Sequence, residues 1–441
     1  MVKYQKNFLL FLYFIILINS KKIIFPFKEK ELNKTILSNN DSNMFYNQIY
    51  TNNLYTKLKI SNTDQLVIAT FASDKTNLKL KNIKELYNIE GHNTYVYSNS
   101  KTFKNITSLT KETITKGYSL INETIKLYEN NDKMVNINDF QLELYNYFDL
   151  NDKNQTLSCE IGLKNDNNTI SFIEQLLNKS IISSNILYIN YKSDNEGYIS
   201  LGEYPEGFNN AQTITKNMNN IFGGSLFQID AEFVYMKSNN GRTFYSDTSL
   251  MFYLEQGIIM ASDGYEKTIK EAFFNDKIKN GLCNESQIYF NINDYNIITC
   301  SDEVSLKDFP TLNFEINNVL FTLDYNDLFT KINKTNYFLV IFSPDIQNWV
   351  LGKPFLKKYQ TIFDNTKNII SLYNQNNNDN EKSDEKGNED NNSGSNAFLI
   401  ILIIFVVIII LLLLVFVFIK INRNKIKSSD VDSSIKGPLM I

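Results

Sequence analysis

The sequence predicts a mainly β protein built as two β lobes and followed by a single C-terminal membrane helix. Three observations carry that expectation. Short runs rich in Ile, Val, Tyr, Phe and Thr recur between clusters of Asn, Asp, Gly and Ser, which is the pattern of strands bounded by turns. The region that holds them is roughly 350 residues long, too long for one sandwich and natural for two β lobes. Beyond it, Ala397 to Ile419 is an unbroken apolar stretch of 23 residues with no charge.

The two ends define an expected topology. Lys3 and Lys6 precede the apolar run Phe8 to Ile18, and Asn19 and Ser20 follow it. This is the layout of a secretory signal over residues 1–20, and the run is too short to span a bilayer. Residues 397–419 are long enough to cross one with some tilt. Lys420, Arg423, Lys425 and Lys427 follow at once and place the 420–441 tail in the cytosol. The expectation is a single-pass type I membrane protein whose large part faces a secretory or endolysosomal lumen or the cell surface. Residues 374–396 carry no aliphatic or aromatic side chain and read as a disordered Asn/Asp/Glu-rich stalk.

Charge and composition narrow the function. The chain is net −4, and with the signal and the basic tail set aside the remainder is about −9. An acidic outer part argues against nucleic acid as a partner. His92 is the one histidine. A zinc site would be short of ligands and a Ser-His-Asp triad would depend on that residue, so no metal or cofactor is expected. Three cysteines, Cys159, Cys283 and Cys300, allow one pair in an oxidising compartment and leave one thiol over. Asn-x-Ser/Thr recurs, for example at Asn105, Asn122, Asn178, Asn284 and Asn333. The chain is so rich in Asn that these matches are permissive only.

Among the strand candidates are Leu54 to Ile60, Leu66 to Phe71, Ile186 to Tyr191, Tyr198 to Leu201 and Asn313 to Leu323. Ile170 to Leu177 and Tyr265 to Asn275 have helical spacing.

The run WVLGKPFLKKYQTIFDNTKNIISLY, Trp349 to Tyr373, resembles the pepsin-like aspartic endopeptidases. In that family a hydrophobic-hydrophobic-Gly turn, here Val350-Leu351-Gly352, leads to a short helix and a closing hairpin around Phe363-Asp364-Asn365. The glycine permits two chain segments to approach closely. Phe309 to Leu323 resembles the strand pair before that turn. Ser180 to Glu206 resembles the passage that closes the first lobe, with Gly202-Glu203 where the family usually has Gly-Gly. The resemblance covers about 320 residues. It implies a bilobal pepsin-like fold with lobes at 45–205 and 206–373, and a Cys283–Cys300 disulfide that leaves Cys159 outside it, buried and inert.

The family's chemistry needs two aspartates, one opening a D-T/S-G turn in each lobe. They share one proton because both cannot ionise side by side. Tyr55 to Leu80 follows the family pattern without a gap and sets the first turn on Ala72-Ser73-Asp74, with alanine at the aspartate position. The second turn is expected on Tyr245-Ser246-Asp247, followed by Thr248-Ser249-Leu250. Thr113 to Leu120 resembles the flap hairpin, with Lys116 at its tyrosine. The resemblance thus implies a fold that binds a peptide or protein in its cleft but lacks its water-activating pair, a pseudopeptidase. The alternative is an active endopeptidase using Asp74 and Asp247 as a shifted dyad. A structural or adhesion role is the third reading.

Overall fold

The computed structural model describes residues 21–29, 49–50, 52, 54–81, 95–106, 118–130, 133–145, 159–164, 171–193, 195–205, 208, 213–218, 227–238, 241–290 and 293–373. The expected signal, stalk, membrane helix and tail lie outside these residues, as do His92 and Lys116. Among the described residues no helix is long and apolar enough to cross a membrane.

The first half is built from β1 (Ile23–Glu29), β2 (Leu54–Ile60), β3 (Gln65–Ala72), β4 (Leu78–Lys81), β5 (Lys104–Asn105), β6 (Tyr118–Asn130), β7 (Lys133–Tyr145), β8 (Cys159–Gly162), helix α1 (Phe172–Asn178), β9 (Ile186–Tyr191) and β10 (Glu196–Leu201). Local sequence explains much of this. Leu54, Thr56, Leu58 and Ile60 of β2 are buried while the residues between them are not, the period-2 alternation of a strand with one face on a core. Helix α1 starts where the Ser171 hydroxyl accepts from the Glu174 backbone N–H, an N-cap that satisfies an otherwise orphan donor.

The second half comprises β11 (Thr213–Asn217), β12 (Gln228–Ser238), β13 (Gly241–Phe252), β14 (Ile259–Ser262), β15 (Cys283–Phe290), β16 (Asn293–Ser301), β17 (Thr311–Ile316), β18 (Val319–Leu323), β19 (Phe329–Ile332), β20 (Thr335–Phe338), β21 (Val340–Ser343), β22 (Trp349–Leu351), helix α2 (Lys353–Lys358), β23 (Thr361–Asp364) and β24 (Ile369–Tyr373). Helical turns run through 263–279 between β14 and β15. The apolar run at 313–323 is broken into β17 and β18 by Asn317 and Asn318, both left-handed at φ 51° and 60°. Two such residues make the hairpin turn whose twist matches its strands, and Asn tolerates that region better than most side chains. Cys283 and Cys300 face each other in the β15–β16 register and are joined by a disulfide. Cys159 lies buried in β8, outside it.

Two sheets result. One has thirteen strands in the order β11-β24-β23-β9-β10-β1-β2-β3-β8-β4-β7-β6-β5. The other has β18-β17-β12-β13-β22-β14-β21-β16-β20-β19, with β15 on β16. At the centre of the run from β11 to β1, two hairpins lie side by side. β9 of one pairs antiparallel with β23 of the other, and β1 and β11 flank them. Phe363 of β23 packs on Phe227 and Phe252 with ring centroids 4.2 and 5.8 Å apart. The closing hairpin at the C-terminal end of the described residues thereby joins strands from both halves.

Strand β1 buries Ile23, Phe25 and Phe27. The Phe25 ring sits 5.8 Å from Phe71 and 6.2 Å from Phe172, so it backs the strand that leads into the first turn. Phe25→Ala is expected to cost about 3–5 kcal/mol, the usual loss for a large buried aromatic. Denaturant unfolding of residues 21–376 with and without the change measures it, and a loss below roughly 1 kcal/mol would show that β1 is an accessory strand.

Candidate active site

Each sheet contains the same crossing. In the first, β3 runs parallel to β8, β8 antiparallel to β4, and β4 parallel to β7. In the second, β13 runs parallel to β22, β22 antiparallel to β14, and β14 parallel to β21. The registers match residue for residue. Phe71 pairs with Ile161 and Ala72 with Gly162, while Phe252 pairs with Leu351, immediately before Gly352. The turn after β3 is therefore equivalent to the turn after β13. Ala72 corresponds to Tyr253, Ser73 to Leu254 and Asp74 to Glu255.

Glycine is required at both crossings. A Cβ on Gly162 would lie 2.6 Å from the Lys75 carbonyl oxygen and 2.7 Å from the Asn77 nitrogen. A Cβ on Gly352 would lie 2.4 Å from the carbonyl oxygens of both Gln256 and Ile258. The close approach is used for hydrogen bonding. Leu163 N–H donates to the Ala72 carbonyl at 2.9 Å and Lys164 N–H to the Lys75 carbonyl at 2.8 Å. In the other crossing, Tyr253 N–H donates to the Leu351 carbonyl at 3.1 Å and Lys353 N–H to the Gln256 carbonyl at 2.8 Å.

Ser73 ties the two turns together. Its hydroxyl donates to Glu255 Oε2 at 2.7 Å and accepts from Leu254 N–H at 3.0 Å, and its own backbone N–H donates to the same Oε2 at 3.0 Å. Leu254 has no hydroxyl to return the gesture, so the linkage is one-sided and a carboxylate supplies its second acceptor. Asn52 supports the second turn. Its Nδ2 donates to the Leu254 carbonyl and to the Tyr191 hydroxyl, both at 2.7 Å, and its N–H donates to the Glu255 carbonyl at 2.7 Å.

Charge accumulates around these turns. Burial pushes the Glu255 carboxyl above its ordinary value. The Ser73 hydrogen bonds oppose that shift without cancelling it, and Asp74 adds repulsion. The Tyr253 hydroxyl is also pushed up, by burial first and then by the negative fields of Glu255 and Asp74. Asp74 pairs with Lys75 at 2.5 Å, and the Lys75 ammonium is held above its ordinary value by that bond. Among the described residues no group of three or more His, Cys, Asp or Glu side chains could hold a metal ion.

The site expected from sequence changes in one half. Ala72, Ser73, Asp74 and Gly352 lie at the two turns. Tyr245, Ser246 and Asp247 do not: they sit inside β13, where Tyr245 pairs with Val234 and Ser246 with Phe233 of β12. A residue paired in the middle of a hairpin ladder cannot open the turn that follows it. The second turn is Tyr253-Leu254-Glu255, and Asp247 is not the turn partner of Asp74. The Thr-Ser-Leu run at 248–250 was the misleading feature, because it falls before the turn. The useful signal was an echo between the halves, Phe71-Ala72-Ser73-Asp74 against Phe252-Tyr253-Leu254-Glu255. Asn52 had no signal of its own.

Two β sheets that each carry a strand-turn-strand crossing under a glycine, with the two turns bonded to each other, define the pepsin-like class. The model of the eukaryotic aspartyl proteases matches residues 73–375, well over half of the chain, and the protein belongs to that family. No curated protein matches it.

Two outcomes follow from this geometry. Gly352→Ala should destabilise the protein by about 3 kcal/mol or more, since the clash is with backbone on two sides. Thermal unfolding checks this, and an unchanged midpoint would refute the close approach. For Glu255 the sign is set by the raised pKa. Its stabilising contribution is complete below the unfolded-state pKa and is lost as pH rises through the folded-state value. Glu255→Gln keeps an acceptor for Ser73 and removes the buried charge. It should match the parent protein near pH 4 and exceed it in stability at pH 7. Greater stability of the parent at pH 7 would mean that the carboxylate is net favourable there.

Proposed function

We propose that this member of the family is a pseudopeptidase, which keeps the pepsin-like fold to bind a peptide or protein segment and does not hydrolyse it. One observation carries the reading. The two equivalent positions at which the family places its catalytic aspartates hold Ala72 and Tyr253. Aspartic hydrolysis needs a carboxylate pair that shares a proton, so that one group takes a proton from water while the other gives one to the amide. Alanine has no titratable group. A tyrosine whose hydroxyl is pushed above its ordinary value is no base at acidic or neutral pH.

A second reading rests on Asp74 and Glu255. They are carboxylates at equivalent places in the two turns, and Glu255 is held toward its protonated form. A displaced pair of this kind would be an active endopeptidase site. Their present bonds favour the first reading. Glu255 Oε2 is taken by two Ser73 donors, and Asp74 is paired with Lys75.

The polar and apolar ends of the sequence support a type I arrangement, with the folded part in the secretory or endolysosomal lumen or at the cell surface. The ligand in this reading is a peptide or protein and not a nucleic acid. The membrane is reached through residues 397–419.

The folded part is expected to cleave no peptide in an acidic-protease library between about pH 3 and 7, because general acid–base assistance worth about 10²–10⁴ is missing. Ala72→Asp alone should leave it inactive, and Ala72→Asp with Tyr253→Asp is the variant in which trace turnover is expected. Pepstatin-sensitive cleavage by the parent protein that disappears in Asp74→Asn or Glu255→Gln would establish the displaced pair instead.

A further inference from the structure

The Asn-x-Ser/Thr sites whose three residues all lie within the described residues, which leaves out Asn105, fall into two structural kinds. Asn178 ends helix α1 and is exposed, with Lys179 and Ser180 exposed after it. Asn284 is exposed on β15 next to the disulfide. Asn333 is exposed in the two-residue turn between β19 and β20 and is left-handed at φ 56°. Asn122 differs. It lies inside β6, paired to Lys104 of β5 on one side and Gln141 of β7 on the other. Its partner in the motif, Thr124, is buried, and the Thr124 hydroxyl bonds Asn138 Oδ1 at 3.1 Å.

We propose that Asn178, Asn284 and Asn333 are N-glycan acceptors of this protein and that Asn122 is not. The inference rests on the lumenal reading above. In such a compartment a preassembled oligosaccharide is carried on a polyisoprenol pyrophosphate. A bond forms between the Asn side-chain nitrogen and the anomeric carbon. The bond from that carbon to the pyrophosphate oxygen breaks, the pyrophosphate leaves with the electron pair, and the nitrogen loses one proton. The product is bulky and strongly hydrated, so the folded chain must keep it at the surface. The three exposed asparagines meet that demand in the folded state. A glycan on Asn122 would sit within a three-stranded ladder, beside a threonine that the core has already engaged.

The placement also bears on binding. β15 and the β19–β20 turn both join β16, since Asn284 pairs with Thr299 and Thr335 with Ser301. Two of the acceptors therefore mark one region of the second half, and the third marks the end of α1 in the first. None of these elements contributes a residue to the two turns. Glycans at these positions decorate elements other than those that hold Ser73 and Glu255.

The test translates the full chain in the presence of microsomes and reads two things. Protection of the folded part from added protease reports translocation. Release of glycans by an amidase in heavy-oxygen water, followed by peptide mass mapping, reports each modified Asn. The expected result is protection, with label at Asn178, Asn284 and Asn333 and none at Asn122. Asn178→Gln, Asn284→Gln and Asn333→Gln should each remove one gel-mobility step. Protection with any of these three unmodified, or with Asn122 modified, overturns the site assignment and leaves the lumenal reading standing. Loss of protection overturns the lumenal reading and this inference with it.

Discussion

Two glycines set the positions of everything at the centre of this molecule. At Gly162 and at Gly352 one chain passes so close to another that a single added carbon would fall within 2.7 Å of backbone atoms. Because no side chain intervenes, carbonyls and N–H groups of the crossing segments bond directly, and each turn is held at the end of a strand. Buried backbone groups have to be paired, and these crossings are how the turn residues achieve it. Only with both turns fixed in this way can a side chain as short as Ser73 reach from one to the other.

That reach gives the site its electrostatic character. The Ser73 hydroxyl and N–H converge on one carboxylate oxygen, and such charge-assisted bonds are stronger than neutral ones. They still do not compensate for taking the Glu255 carboxyl out of water, which is the general fate of a partly desolvated acid. The result is a site with acidic groups beside the two turns, which open on the equivalent residues Ala72 and Tyr253. Both crossings keep their glycine and their direct backbone bonds.

Much of the fold was legible because its signals are local. The strand run Leu54 to Ile60, the helical spacing at 170–177 and the Val-Leu-Gly turn at 350–352 each act within a few residues. The Cys283–Cys300 bridge was legible only through resemblance, since three cysteines allow more than one pairing. The second turn was misplaced because its location depends on the length of the β12–β13 hairpin, and strand-forming residues such as Tyr245 and Thr248 look alike in the middle of a strand and at its end.

The amino-acid order by itself determined that the chain is mainly β, where a few of its strands lie, that a glycine stands at 352, and that alanine opens the first turn. The tertiary structure alone decided which residues oppose that alanine. Tyr253 and Glu255 are about 180 positions away from Ala72 and Ser73 along the chain, and no local preference links residues so distant. Their equivalence comes from the parallel register of β13 with β22 and of β3 with β8. Such registers are set by long-range strand pairing and by where a missing Cβ lets two backbones meet.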